Sequence, residues 1–216
     1  MEEVVKKIIF IIMSLILAGC GSTNFSYVDD DMKASGLNDG GYVIASMVND
    51  TDGNDVSPFT RAKLHFRNID TGEKGYLGII KPDIIYKNDE DIIVSGKVGH
   101  SIAMLLKPGN YEFYSFTFDF DLGTILNTWQ PKKEFSIPFT VYKGKTICIG
   151  EFNTKAEWGK NIVGFPVIIG GYFELTNQSE RDIALVTKKI PTLPKKCTYY
   201  PLVVQQNTNG LFVNHF

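Results

Sequence analysis

Tyr111-Glu112-Phe113-Tyr114-Ser115-Phe116-Thr117-Phe118-Asp119-Phe120 is the most aromatic stretch of the chain, and its reading decides the fold class. Tyr114, Phe116, Phe118 and Phe120 share one parity, while Tyr111 and Phe113 take the other near its start. Successive strand residues project to opposite faces, so this is a strand with an aromatic core face. Rings interleaved in this way fit the inside of a sandwich better than a ligand-stacking platform. Upstream, the apolar run Ser101 to Leu106 ends at Lys107-Pro108-Gly109-Asn110. Pro presets its own φ and Gly accepts the positive φ that other residues resist, which predicts a tight reversal and a hairpin. Downstream, Phe135, Ile137, Phe139 and Val141 share a face before Tyr142-Lys143-Gly144-Lys145 turns the chain into Thr146 to Phe152, a second expected hairpin. Pro138 has no donor for a ladder and points to an edge or irregularity.

Further out, Tyr42 to Val48 is an apolar run stopped by the turn formers Asn49 to Asn54, which reads as a central strand. Thr60 to Ile69 alternates, with Ala62, Leu64, Phe66 and Asn68 on one face and Arg61, Lys63, His65 and Arg67 on the other, before Asp70-Thr71-Gly72-Glu73 turns it. Tyr76 to Ile80, Ile84 to Tyr86 and Ile92 to Val94 are shorter strands or edges, and Phe165 to Leu175 is another strand-like stretch. One helix has clear boundaries. Ser179 caps it, Asp182 serves as the acidic member of a capping box, Ile183, Val186 and Ile190 form its apolar stripe, and Pro191 ends it. Glu180 and Asp182 at its start and Lys188 and Lys189 at its end suit the helix dipole. The expectation is a mainly β chain, an antiparallel β-sandwich with a short C-terminal helix.

The 216 residues, 44% of them hydrophobic, suffice for one cored domain with appendages. Twenty-two basic against 24 acidic residues give a net charge of -2, so no global positive charge favours a nucleic-acid partner. The expected divisions are 1–19 leader, 20–40 lipidated N-terminus and flexible tether, 41–194 sandwich with late helix, and 195–216 C-terminal extension. In that extension Tyr199 to Val204 could pair with an edge, and its final residues are expected to be mobile.

Lys6-Lys7, an apolar run from Ile8 to Ala18 broken by Ser14, and then Gly19-Cys20 have the layout of a secretory signal peptide. The run is shorter than the roughly 20 residues that cross a bilayer. Leu17-Ala18-Gly19-Cys20 resembles the lipobox of bacterial lipoproteins. That resemblance implies cleavage between Gly19 and Cys20 and a thioether-linked lipid on Cys20, often with acylation of its amine. One acyl chain binds membranes reversibly, whereas two or more make a durable anchor. Gly21 stands where, in the sorting pattern of that class, an aspartate would favour inner-membrane retention, which implies the periplasmic side of an outer membrane in a bacterium with two membranes. Leu106 to Phe113 and Phe139 to Phe152 look similar to segments of carboxypeptidase-regulatory or prealbumin-type sandwiches, a resemblance that covers Tyr42 to Phe152 and places no catalytic residue.

Cys148 and Cys197 remain after the leader. An oxidising envelope permits them to bond, and two thiols have one possible connectivity. A buried Cys148 with a separate Cys197 is the other arrangement. They lack CxxC or zinc-site spacing. Asp29-Asp30-Asp31 does not follow the alternating ligands of a calcium loop, and no metal or cofactor is expected.

Candidate chemistry is sparse. His65, His100 and His215 form no constellation, and Ser46 lies in an apolar strand without a nucleophile elbow. A glycosidase would need two carboxylates at controlled separation, with Glu151 and another acid such as Asp119, Asp121 or Glu157 as candidates. A glycan or peptidoglycan binder would use Trp129, Trp158 or tyrosines around a polar cleft. The favoured expectation is a non-catalytic envelope protein, held at the membrane by acyl chains on Cys20, with a structural or protein-binding role.

Overall fold

A computed structural model describes residues 26–50, 58–80, 91–94, 96–121, 126–204, 208 and 210–215. The leader, the Leu17–Cys20 motif and the expected piece Ile84 to Tyr86 lie outside the described residues. In chain order the strands begin with β1 (Tyr27–Val28), β2 (Gly41–Asp50), β3 (Arg61–Asn68), β4 (Lys74–Ile80), β5 (Ile92–Val94), β6 (Lys97–Leu106) and β7 (Gly109–Asp121). They continue with β8 (Leu126–Trp129), β9 (Ile137–Val141), β10 (Thr146–Lys160), β11 (Pro166–Thr176), β12 (Thr198–Tyr199) and β13 (Phe212–Asn214), and the helix α1 (Ser179–Lys189) stands between β11 and β12.

These strands make two sheets. The first runs β1-β4-β3-β7-β8 with β9 also on β7, and the second runs β13-β11-β10-β2-β6-β5 with β12 also on β10. Val43, Ala45, Met47, Phe152 and Phe173 of the second sheet share one buried cluster with Leu64, Phe66, Phe113, Phe116, Phe118 and Phe139 of the first. The fold is therefore the expected mainly β sandwich with a short late helix. Alternation in Thr60 to Ile69 is realised residue by residue, with Ala62, Leu64, Phe66 and Asn68 buried. The second sheet is mixed: β2 with β10, β10 with β12 and β11 with β13 are parallel pairs. β2 lies at its centre and is buried on both faces, which explains the continuous apolar run of its sequence.

A β-bulge resolves the aromatic strand. His65 stands opposite Ser115 but Phe66 opposite Phe113, so Tyr114 is the extra residue on β7. The extra residue inverts the parity, and Tyr111, Phe113, Phe116, Phe118 and Phe120 all face the core. Tyr114 is thus on the other side from the expected one. Its ring lies 4.6 Å from the Arg67 guanidinium and 5.6 Å from the Lys74 ammonium, both within cation–π range.

Both expected hairpins are corners between sheets. β6 and β7 belong to opposite sheets, as do β9 and β10, so Lys107–Pro108 and Tyr142–Lys145 carry the chain across the sandwich. Gly109 has no positive φ and already pairs with Val141, whereas Gly144 turns at φ 71°. Turn chemistry reports a reversal, not the sheet that the next strand joins. Pro138 lies on β9, whose only described neighbour is β7.

The appendages are also part of the body. Within the expected tether, β1 pairs with β4, Met32 is buried, and Lys33 bridges to Leu106. Asp29 accepts from the Asp31 amide at 3.0 Å to cap a 3-10 turn, and Asp30 pairs with Lys33 at 2.7 Å, so this acidic run serves local structure. In the C-terminal extension β12 joins β10 and β13 joins β11, with Leu202 and Phe212 buried, so residues 212–214 pair into the second sheet.

Helix α1 covers the outer face of the second sheet, where Ile183 and Val186 meet Ile44, Cys148 and Leu193. Ser179 is not its N-cap; that position is Gln178, and Asn177 Oδ1 accepts from the Ser179 amide at 3.1 Å and hydroxyl at 2.6 Å. Ile190, the last residue of the expected stripe, is 37% exposed. Cys148 and Cys197 form a disulfide with Cα atoms 5.7 Å apart and a sequence separation of 49. It ties the segment after the helix to β10. Replacing both cysteines by serine should lower stability by about 2–4 kcal/mol through the unfolded chain's regained entropy, seen as a lower urea midpoint.

Candidate functional site

Strand register sets Ser101, Ser46, Glu151 and Thr176 in one row across β6, β2, β10 and β11. A bulge between Cys148 and Gly150 brings Glu151 to this outer face, and Gly150 absorbs the extra residue at φ 102°, where a side chain would be strained. Helix α1 lowers two charges onto the row. Arg181 donates to Glu151 Oε2 at 2.8 Å, to Ser46 Oγ at 2.8 Å, and to Asp182 Oδ1 at 2.9 Å through Nε and 2.6 Å through Nη2. Ser46 Oγ in turn donates to Asp182 Oδ2 at 2.8 Å. Lys97 Nζ reaches Glu151 Oε1 at 3.0 Å, and the Thr176 hydroxyl donates to the same oxygen at 3.3 Å.

Glu151 and Asp182 are each 1% exposed, so two buried carboxylates are matched by two cations. Burial pushes the Asp182 carboxyl above its usual range, and Arg181 and Ser46 only partly oppose it. Asp182 therefore is not the capping-box acid. It points into the sheet. A second contact holds the helix at its other end: Lys189 meets Asp91 at 2.9 Å and donates to the Ser101 carbonyl at 3.2 Å. Asp91 also accepts from the Ser101 amide at 2.8 Å and from its hydroxyl. Burial alone would raise the Asp91 carboxyl, but these hydrogen bonds and Lys189 outweigh it and hold it low. Further along the face, Lys155 bridges Asp50 at 2.6 Å and Glu174 at 3.9 Å, and Asn153 donates to Asp50 at 3.1 Å.

The acids proposed from sequence do not converge. Glu151 lies on the outside of the second sheet, whereas Asp119 lies on the first, paired with Arg61 at 3.2 Å and accepting from Thr128 at 2.7 Å. Glu157 is exposed on β10, and the Asp121 side chain falls outside the described residues. Glu151's acidic neighbour is Asp182, and Arg181 stands between them. The arrangement braces helix to sheet. His65 is flanked by Tyr76 and Tyr114, and burial, then Lys63 and Lys74, push its pKa down. His100 lies on β6, and His215 stands 3.7 Å from Glu174. Trp129 packs partly buried beside Phe116 and Phe118, while Trp158 is 54% exposed. A shallow groove beside the disulfide is lined by Lys145, Thr146, Lys196 and Thr198 and holds no carboxylate.

The most unusual surface is at the far end of β10 and β11. Their ladder continues to Lys160 opposite Pro166, and Ile162, Val163 and Phe165 in the connecting turn are fully or largely exposed. Trp158 and Ile169 extend the apolar surface down the ribbon. Sequence reasoning singled out Trp158 alone here. The adjacency of Ile162, Val163 and Phe165 to it was legible, but their exposure was not.

No family profile matches the chain, and a search of curated proteins finds no match. Among solved structures, the chain is similar to a leucine-rich repeat protein from Bacteroides thetaiotaomicron VPI-5482, at 16% identity and a TM-score of 0.29. That similarity covers 52% of this chain and 13% of the other.

Proposed function

We propose that this protein is a lipid-anchored component of the bacterial envelope whose sandwich serves a structural or protein-binding role. The observation that carries the non-catalytic part is the brace: Glu151 and Asp182, both buried on the outer face, are both engaged by Arg181 at 2.6–2.8 Å. Groups so neutralised stiffen a scaffold and are poorly placed to exchange protons with a substrate. The anchor rests on the resemblance at Leu17-Ala18-Gly19-Cys20, and the two-sheet body then stands in water beside the bilayer.

Cys20→Ala should abolish incorporation of labelled palmitate and shift the protein from the detergent phase to the aqueous phase on temperature-induced separation. Detergent partitioning unchanged by this substitution would refute the anchor. A glycan-binding role would instead need tryptophans gathered at a cleft, and Trp129 packs partly buried against the core beside Phe116.

A further inference from the structure

We infer that the apolar tip of the β10–β11 ribbon is a second membrane contact, inserted into the same bilayer that holds Cys20; this rests on the lipid-anchor reading above. The last residue of β10 that pairs with β2 is Thr154, opposite Asn49, and β13 reaches only Phe173 to Leu175 of β11. Beyond these points β10 and β11 pair with each other as a two-stranded ribbon. Its turn is a formed structure. Asn161 Oδ1 accepts from the Val163 amide at 3.1 Å and the Phe165 amide at 3.0 Å, and Gly164 supplies a φ of 89°. This turn holds Ile162 at 105%, Val163 at 68% and Phe165 at 66% exposure. A cluster of large apolar side chains offered to water marks an interaction site more often than a neutral surface.

The course of the chain names the occupant. β1 is antiparallel to β4, with Tyr27 opposite Tyr76 and Val28 opposite Gly75, so the polypeptide enters the body from the Ile80 end of β4. That is the ribbon's end of the sandwich. Ile79, Ala62 and Phe118 form one row of the first sheet, and Phe118 lies against Gly171, which is opposite Ala156 on β10. The corner Tyr142–Lys145 lies at the opposite end, where β10 begins. The Gly78 amide donates to Ser26 Oγ at 3.1 Å, which fixes where the entering chain joins β4. Cys20 is six residues before Ser26, a span of at most about 20 Å. Four strand residues from Ala156 to Lys160 rise about 13 Å, and the turn adds a few more. The extended span to Cys20 is at least as long as the rise from Ala156 to the tip, so one bilayer at this end of the molecule can take both the anchor and the tip.

The side chains suit a bilayer surface. Ile162, Val163 and Phe165 can enter the acyl boundary, Trp158 farther down the ribbon matches the headgroup level that indole prefers, and Lys160 between them can extend its ammonium back toward lipid phosphates. An acyl anchor alone leaves the body free to swivel. A second contact about the periphery of the same end would fix its tilt and keep the Tyr142–Lys145 end facing away from the membrane.

The test is fluorescence of the full-length acylated protein in phosphatidylcholine–phosphatidylglycerol vesicles, with and without brominated acyl chains, for wild type and Trp158→Phe. Trp158 is surface-exposed, so its replacement leaves the core intact. Insertion predicts a clear loss of emission in brominated vesicles by wild type and a much smaller one by Trp158→Phe, whose remaining Trp129 is partly buried against Phe116. An acylated, vesicle-bound protein whose Trp158 emission is indifferent to bromine would overturn the tip contact while leaving the anchor intact, and would turn the tip toward a protein partner. An unmodified Cys20 by mass would overturn the anchor reading and this inference with it.

Discussion

Phe116→Ala is expected to cost about 3–5 kcal/mol of stability, and Tyr114→Ala less than about 1 kcal/mol. The two residues have the same parity in sequence, and only the bulge at Tyr114 separates them. Phe116 is fully buried, with ring centroids of Phe118, Phe173, Trp129 and Phe212 at 4.7, 5.1, 5.5 and 5.9 Å. It touches both sheets and the terminal strand β13, so truncation leaves a cavity at the point where three segments meet. Tyr114 gives up ring contacts with Arg67, Lys74 and His65 on the outer surface. Urea titration of both variants measures the contrast. Equal losses would mean that β7 runs without the bulge.

Arg181→Met should cost a comparable amount, about 3–5 kcal/mol, because it strands buried carboxylates that it now satisfies. Glu151 would keep Lys97 and Thr176, but Asp182 would keep only Ser46. The loss should depend on pH. Burial raises the folded Asp182 carboxyl above the value of about 3.9 usual for an unfolded aspartate. In the interval between those values the folded state holds more protons, so this group's contribution falls as pH rises through it. Removing Arg181 takes away the chief opposing influence and steepens the fall. Thermal midpoints should therefore show the variant's deficit largest near neutral pH and shrinking as pH falls through the raised folded value of Asp182, where the carboxyl takes up a proton. Asp91 works in the other sense: its lowered carboxyl stabilises above the usual aspartate range and loses that contribution as pH falls through its folded value. A deficit independent of pH would mean that the guanidinium acts by packing alone.

Legibility followed the range of the interaction. The alternation in β3 is a local, period-two property, and the structure realises it without exception. The bulge was latent in the sequence as a change of parity after Phe113, two aromatic sets that a straight strand would place on opposite faces. The brace was not legible. Asp182 reads as an ordinary helix charge and Ser46 as a polar residue in an apolar strand, and Arg181 carries no signal of its own, because nothing local reports that β2 and α1 meet across 136 positions. Likewise the Pro108–Gly109 and Lys143–Gly144 signals gave reversals, while the choice between pairing back and crossing over belongs to long-range contacts.

From its order of residues alone, this chain is destined for strands, an aromatic core and one late helix, since those follow from side-chain periodicity and backbone preference. The same order holds the Leu17–Cys20 motif on which the anchoring proposal stands. Tertiary structure alone decided that the sheets exchange strands at the corners, that β2 and β10 run parallel, and that Cys148 meets Cys197. It also decided that the β10–β11 turn stands clear of both sheets. Burial is a property of what other segments leave uncovered, so Phe116 and Phe165, identical in chemistry, end at 0% and 66% exposure.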